Sequence, residues 1–546
     1  VELMNRITPK YRPKQVEKTA PCQVGCANCG DIRGWIGTVA QRNKTGISTA
    51  EAFARAWSVI TAVNPFPATL GRICPHPCEN HCNRSDLDEP LAINAMERFL
   101  GDFAIRENVP LPRLESVNSD EWLGVIGAGP SGLSFAYQMA RRGYKVTIYD
   151  AREKAGGMLR YGVPDYRLPQ EVLDAEIQKI LDLGVWLELD TRVGRDISLE
   201  ALRSRHSMLY LAIGAQASRG LDIPGAEGDS VWTGVDYLEQ VNRGNKVETG
   251  EHAIVTGGGN TAIDAARCAR RAGSDVTILY RRSRDEMPAF AHEIENALEE
   301  GVNLEWLATP VSLERGPDGS LEAVRVQRMK LGATDSSGRR RPVPEPGSEF
   351  RLPATSVIFA VSQYPELDGM EALTGNGGDL GLPGKGSDDS GVIAGGDILR
   401  MGIAGEAIVQ GRRAAEKVHR QFSGDPEAAG KDPESADVSS ERIRFRSKPG
   451  TEAVHANRLA GEKRTRLGMA EVEQSISEEQ FLAEVDRCFS CGSCFGCEQC
   501  FMYCTAGCFV REDAPVPGHY FTLNLEHCHE CGKCIEVCPC GFLEVS

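Results

Sequence analysis

Aromatic residues are scarce in this 546-residue chain, at 6%, and no run approaches the roughly 20 consecutive apolar residues of a membrane span. Basic residues are outnumbered, 61 Lys and Arg against 77 Asp and Glu, and the formal charge of −16 excludes the broad basic face that a nucleic acid needs. The opening Val1-Glu2-Leu3-Met4-Asn5-Arg6 lacks the apolar core of a secretory signal, so a soluble, cytoplasmic protein is expected, with Val1 marking a processed or trimmed end. What the chain has instead is glycine (58) and cysteine (19), and neither is spread evenly. Six cysteines lie between Cys22 and Cys82 and twelve between Cys488 and Cys540, which leaves Cys268 alone as a small packed core residue. Spacings of x2 and x3 gather thiolates onto one small object, whereas disulfide frameworks belong to small secreted domains, so metal or iron–sulfur clusters are expected.

Between the cysteine blocks, strand and helix patterns alternate, with glycines at strand ends. Residues 122–126 read as a buried strand, Gly127-Ala128-Gly129-Pro130-Ser131-Gly132 opens a helix, and residues 145–150 form the next strand. This is GxGxxG in the context it requires: the first glycine permits the tight turn, the second lets a pyrophosphate approach, and the third lets helix and strand pack closely. Asp150, 18 residues past the last glycine, is placed to accept hydrogen bonds from a ribose. The pattern recurs as the strand 252–256, the turn Gly257-Gly258-Gly259-Asn260-Thr261-Ala262, a helix, and the strand 275–280. Here Arg281, Arg282 and Arg284 follow the second strand in place of an acid, which favours a ribose 2′-phosphate and hence NADPH, with NADH as the alternative. Two such units suggest a flavin site facing a nicotinamide site. A third strand, residues 391–395, ends in Gly396-Asp397 and leads to a helix over about 405–413; the carboxylate can hold a ribityl chain, and the helix N-terminus favours negative charge on a reduced ring. The flavin domain is therefore discontinuous, with the nicotinamide domain inserted.

These motifs, together with Gly156-Gly157-Met158-Leu159-Arg160-Tyr161-Gly162-Val163-Pro164, Arg167-Leu168-Pro169 and the stretches 257–264, 280–289 and 395–413, closely resemble the small subunit of glutamate synthase and its wider family, which includes the electron-input half of dihydropyrimidine dehydrogenase. The resemblance runs over residues 20–420. It implies FAD at the first unit, with Gly157 and Met158 beside it, NAD(P)H at the second, and hydride transfer between the two cofactors with no protein acid or base.

The family carries two [4Fe–4S] clusters in its helical leader. Here that leader holds Cys22-x3-Cys26-x2-Cys29 and Cys74-x3-Cys78-x3-Cys82. The relatives' C-x2-C-x4-C-x3-C register, projected back from Cys22 and Cys26, puts Lys14 and Glu17 where the first two cysteines should stand, so two complete clusters do not carry over. In the dihydropyrimidine dehydrogenase pattern one cluster takes an amide or acid as its fourth ligand, and Glu97 matches that position. The resemblance thus implies one cluster on Cys26, Cys74, Cys78 and Glu97. Cys22, Cys29 and Cys82 are left for a second, either incomplete or completed by a non-cysteine ligand.

Cys494-x2-Cys497-x2-Cys500-x3-Cys504 and Cys528-x2-Cys531-x2-Cys534-x3-Cys538-Pro539 are two copies of the bacterial ferredoxin run, in which the fourth cysteine of each run ligates the other cluster. Two [4Fe–4S] clusters follow, one on Cys494, Cys497, Cys500 and Cys538, the other on Cys504, Cys528, Cys531 and Cys534; zinc sites use wider paired spacing. Thr505 replaces the usual proline, and Cys488 and Cys491 extend the ladder, so the first run could slip by three residues; Cys508 and Cys540 are spare.

The expected fold is α/β: two Rossmann-like, glutathione reductase-like domains, preceded by an α-helical iron–sulfur domain and followed by a small α+β ferredoxin-like domain. Boundaries fall at 1–118 (helical), 119–248 and 349–423 (FAD), 249–348 (NAD(P)H), 424–484 (an extended polar linker with a short helix near 479–485) and 485–546 (ferredoxin-like), leaving the last module on a movable tether. Residues 485–546 carry three Lys and Arg against eight Asp and Glu, which suits a partner with a basic surface. The resemblance implies an NAD(P)H:acceptor oxidoreductase exchanging single electrons with a protein partner: a ferredoxin, a 2-oxoacid oxidoreductase or a dissimilatory sulfite reductase system. The alternatives are a glutamate synthase small-subunit role beside a glutaminase-type large subunit, and a non-catalytic redox sensor.

Overall fold

The computed structural model describes residues 11–114, 120–335, 338–373, 391–424 and 432–546. The opening segment 1–6, the 118/119 boundary and the Asp425-Pro426 and Lys431 part of the expected linker lie outside them. The chain divides into two compact units: residues 115–415 with 457–474, and residues 1–114 with 416–456 and 475–546.

The dinucleotide unit is built on two five-stranded sheets, each wholly parallel. In the first, the order is Val392–Ala394, Met208–Leu211, Trp122–Ile126, Lys145–Tyr149, Trp186–Glu188. In the second, it is Asn303–Trp306, Asp275–Tyr280, His252–Thr256, Ser356–Phe359, Val231–Thr233. Parallel strands sit between helices on both faces and so read as continuous apolar runs; Val146, Ile148, Val276 and Ile278 are all fully buried. The second sheet departs from the expected boundaries: Val231–Thr233 and Ser356–Phe359 belong to it, although both fall in stretches expected to be flavin domain. These short strands carry no glycine turn of their own, and pairing alone assigns them. A three-stranded antiparallel sheet, Ala308–Arg315, Leu321–Thr334 and Arg340–Pro353, follows the second Rossmann sheet. The helix expected over 405–413 runs from Ala404 to Ser423.

Residues 457–474 are packed, not extended. Val472 joins the core around the helix Asn260–Arg271, its N–H bonds the Tyr166 carbonyl at 3.0 Å, and buried Arg464 reaches Asn296 and Glu299. Within the same unit Glu300, with no exposed surface, holds Arg267 at 2.8 Å and Arg271, while Arg167 spans Asp264 at 2.7 Å and Glu293 at 3.0 Å. Cys268 lies in this core with burial raising its thiol pKa, a packing residue as expected.

The iron–sulfur unit is helical where it is regular: Ile32–Ala40, Thr49–Thr61, Pro67–Ile73 and Ile93–Arg106. Ser48 accepts from the Glu51 N–H to start the second of these, as an N-cap should. Its core is aromatic. Phe99 stacks on Phe481 at 4.7 Å, and Phe53 meets both edge-on. Phe481 comes from the helix Glu478–Arg487, close to the helix expected near 479–485, but that helix is locked into the leader and not tethered beyond it. Buried Glu484 accepts from the Ala92 and Val454 N–H groups at 2.8 and 3.0 Å, and Arg84 donates to the Arg487 and Pro449 carbonyls. The strand Pro13–Gln15 pairs antiparallel with Leu543–Val545, and the Lys44 ammonium donates to the Phe495 and Gly496 carbonyls. The movable tether is thereby corrected. The polar composition that suggested it hides single buried anchors, Val438, Ile443 and Phe481, spaced too irregularly to read as an element.

Candidate functional site: two dinucleotide cradles and four thiol groups

The first glycine turn folds as the motif requires. Gly127 adopts φ +108°, where a Cβ would run into the Ala212 carbonyl, and Gly132 packs against the Gly127 backbone. Gly129 is different: a Cβ there would meet only the Gly157 Cα, at 3.9 Å. The space over Gly129, facing Gly157 and the N-terminus of the helix Pro130–Ala140, is thus left for a ligand that must come close to backbone, and a pyrophosphate fits it. Asp150 accepts from the Ala128 N–H at 2.6 Å and the Arg152 N–H at 2.9 Å, and burial raises its pKa. It borders a cavity of about 290 Å³ with Gly127, Arg152, Arg192, Arg195 and Gln216. Ser131 shares a 2.7 Å hydrogen bond with Tyr210, Met158 begins the turn Met158–Tyr161, the Gly396 N–H bonds Gln410, and Asp397 accepts from the Gly402 N–H at 3.2 Å. Every residue expected at the flavin site lies in the one unit, on the first sheet's strand ends or the helices that follow them. Arg192 and Arg195, which no motif marks, join them.

The second turn repeats the arrangement. A Cβ at Gly257 would meet the Ala360 carbonyl, one at Gly259 would meet nothing within 4 Å, and Ala262 packs on Gly257. The Asn260 side chain accepts from the Phe290 N–H at 3.1 Å and so fixes the neighbouring turn. A cavity of about 520 Å³ opens here, bordered by Gly259, Thr261, Tyr280, Arg281, Arg282 and also Arg339. The arginines divide. Arg282 is buried and already committed, donating to the Arg340 carbonyl at 2.9 Å and to Asp335 at 2.8 Å, and Arg284 is paired with Glu295. Only Arg281, of the three, is exposed at the cavity without an ion-pair partner among the described residues. Arg282 borders the same cavity, with its guanidinium already paired to Asp335.

Fourteen of the fifteen cysteine and acid ligand candidates, joined by Cys488 and Cys491, fall into four groups. Cys26, Cys74, Cys78 and Glu97 converge, each in electrostatic range of the other three. Burial pushes Cys26 up to about 11, Cys74 to about 12 and Glu97 to about 7, the last held down in part by an Asn64 hydrogen bond of 2.8 Å. Cys494, Cys497, Cys500 and Cys538 converge likewise. Cys534 neighbours Cys504 and Cys531, and Cys508 sits between Cys504 and Cys528. Cys540 hydrogen-bonds Cys538 and brings that thiol down to about 6, despite its burial. Cys488 and Cys491, which a slipped register would use, lie in electrostatic range of Cys22 and Cys82. Cys29 lies beside Cys26, its N–H bonded to the Cys26 carbonyl at 2.9 Å. Water-poor thiols crowded together each disfavour the other's ionisation, and a cationic iron–sulfur core reverses that cost. Among the described residues, no three His, Cys, Asp or Glu side chains converge on a single-metal-ion site.

A flavin cradle, a nicotinamide cradle and grouped thiols define an NAD(P)H-dependent iron–sulfur flavoprotein oxidoreductase. Residues 122–411 match the pyridine nucleotide-disulphide oxidoreductase family, residues 15–109 the dihydropyrimidine dehydrogenase domain II with its 4Fe-4S cluster, and residues 521–544 the 4Fe-4S binding domain. The chain belongs to the pyridine nucleotide-disulphide oxidoreductases, in the branch of the glutamate synthase small chain. It is 39% identical over 435 residues to the NADP(+)-dependent formate dehydrogenase subunit beta of Moorella thermoacetica (73% of this chain, 59% of that one) and 37% identical over 372 residues to the NADPH-Fe(3+) oxidoreductase subunit beta of Geobacter sulfurreducens (66% and 54%). With the glutamate synthase [NADPH] small chain of Azospirillum brasilense it shares 34% over 431 residues, 74% of this chain and 87% of that one. The chain thus spans little more than half the length of the first two relatives. No helix among the described residues is long and apolar enough to cross a membrane.

Proposed function

We propose that the chain is an NADPH:protein-acceptor oxidoreductase, taking NADPH at the Gly259 cradle, FAD at the Gly129 cradle, and exchanging single electrons with a partner through the ferredoxin-like module. The observation that carries this reading is the pair of open cradles, at Gly129 and Gly259, each heading a helix in one compact unit of a chain that also gathers thiols. When bound, the flavin and nicotinamide supply hydride transfer and the clusters supply one-electron steps. The protein binds and orients. The two helix N-termini take the pyrophosphates, Asp150 the flavin-side ribose, and Asp397 the ribityl chain. Arg281 selects the 2′-phosphate, in keeping with relatives named for NADP(+) and NADPH. Cys26, Cys74, Cys78 and Glu97 ligate one cluster; Cys494, Cys497, Cys500 and Cys538 a second; Cys504, Cys528, Cys531 and Cys534 a third.

The partner docks at the ferredoxin-like module, where Met502 and Tyr503 are exposed between the ligands Cys500 and Cys504, near the exposed acids Glu512 and Asp513. A basic-faced redox protein suits that surface, with a rate that falls as salt rises. Anaerobic addition of NADPH tests the core of the reading: the flavin absorbance is expected to bleach, and an unbleached flavin ends it. A role as the electron-input chain of a glutamate synthase is the second reading, favoured by the match across 87% of the Azospirillum small chain. Co-purification with a glutaminase-bearing large chain would select it.

A further inference from the structure

We infer that Cys22, Cys82, Cys488 and Cys491 hold a further [4Fe–4S] cluster, whose ligands come in pairs from two segments more than 400 residues apart. All six pairings of these thiols lie within electrostatic range: Cys22 with Cys491, Cys488 and Cys82, Cys82 with Cys488, and Cys491 with both Cys488 and Cys82.

Hydrogen bonds from beside each thiol hold the two segments together. The Asn83 amide reaches the Cys491 Sγ at 3.5 Å and the Val438 carbonyl at 3.2 Å; Arg84 donates to the Arg487 carbonyl at 2.8 Å and lies over the Phe489 ring. Arg33 binds the Cys491 carbonyl at 2.9 Å and Glu17 at 2.8 Å. Glu17 occupies one of the two positions where the family's register has a ligand cysteine. The thiols missing there are thus supplied at nearly the same place by a Cys-x2-Cys from the other segment. A lone zinc ion is the competing occupant of four cysteines. The iron and zinc counts below decide between the two.

The position of this group is also informative. Cys22 lies in the single turn Pro21–Gly25 and Cys26 ends it, two residues separate Cys491 from Cys494, and three separate Cys500 from Cys504. The added cluster is therefore the link between the amino-terminal cluster and the ferredoxin pair, completing a series of four.

The test is an iron count on the full-length, anaerobically purified protein. About sixteen irons and no zinc are expected, and about twelve irons, or one zinc per chain, would overturn the assignment. The Cys488→Ser/Cys491→Ser chain is expected to lose about four irons while keeping its flavin, and Cys29→Ser to lose none; the reverse pattern would refute it. Should the double variant not fold, alkylation of the unmodified holoprotein decides. Cys22, Cys82, Cys488 and Cys491 are expected to resist labelling together and to become reactive together once iron is chelated, and labelling of Cys488 and Cys491 in the iron-loaded protein contradicts the site. These readouts do not depend on NADPH oxidation, so they separate this inference from the proposed activity.

Discussion

In the dinucleotide unit, neighbouring strands bury Val255 and Ile278 completely, and a dense polar network, Arg167, Arg267 and Arg271 with Asp264, Glu293 and Glu300, lies inside that core. In the iron–sulfur unit, cohesion comes from elsewhere: a centre of Phe53, Phe99, Phe103 and Phe481, buried arginines donating to distant carbonyls, and thiols that crowd one another. The first unit is stabilised by apolar area that the chain supplies locally. The second has ligand groups whose burial is unfavourable until iron fills them. The difference predicts different dependence on metal, on charge and on pH.

The largest effect expected is from iron removal. Chelation under reducing conditions should abolish hydrogen-exchange protection through the iron–sulfur unit, including the Lys18 N–H that bonds the Gly492 carbonyl, while the strand amides of Val255 and Ile278 stay protected. Equal loss in both units would erase the contrast. Next, Glu300→Ala strips buried Arg267 and Arg271 of their shared carboxylate and should destabilise the dinucleotide unit by about 3–5 kcal/mol in a denaturant melt, with the iron content unchanged.

Smaller effects follow at the cradles. Gly129→Ala meets no protein atom closer than 3.9 Å, so the fold should persist while flavin affinity falls by about 1–3 kcal/mol, read as flavin lost on dialysis. Gly127→Ala, by contrast, should fail to fold. Arg281→Ala is expected to raise the KM for NADPH roughly tenfold, about 1.4 kcal/mol, and to leave that for NADH unchanged, whereas Arg282→Ala should lower stability, since its charge serves Asp335.

The smallest effect is in pH. Burial alone would raise the Glu300 pKa, but hydrogen bonds from Arg267 and Arg271 overcome it and hold the carboxyl below its ordinary value. Its stabilising contribution is therefore full above the unfolded Glu pKa of about 4.3 and is lost as pH falls toward the folded value. Glu300→Gln should flatten the acid limb of dinucleotide-unit stability, and an unchanged limb would assign acid sensitivity elsewhere.

How much of this could be read in the sequence follows from the same contrast. The strands Trp122–Ile126, Lys145–Tyr149, His252–Thr256 and Asp275–Tyr280 and their glycine turns were legible because apolar runs and a glycine at positive φ are local requirements. Val231–Thr233 was not, since three residues beside a distant partner carry no periodicity. Arg281 and Arg282 look alike in sequence, and only Asp335, 53 residues on, distinguishes them. Cysteine spacing and the resemblance marked three of the four groups, and missed only that Cys488 and Cys491 lie with Cys22 and Cys82. Cys488 and Cys491 looked like an extension of the ferredoxin ladder because the leader they face lies at the other end of the sequence.

The antiparallel pairing of Pro13–Gln15 with Leu543–Val545 also sets an order of assembly. During synthesis the leader leaves the ribosome first but waits for its partners while the whole dinucleotide unit is made. At about 5–20 residues per second that interval is on the order of tens of seconds, long enough for residues 120–415 to fold alone. Iron loading of the shared thiols is then among the final steps of maturation, and a chain broken off after the dinucleotide unit would bind nucleotides yet lack the Phe481 helix that closes the leader's core.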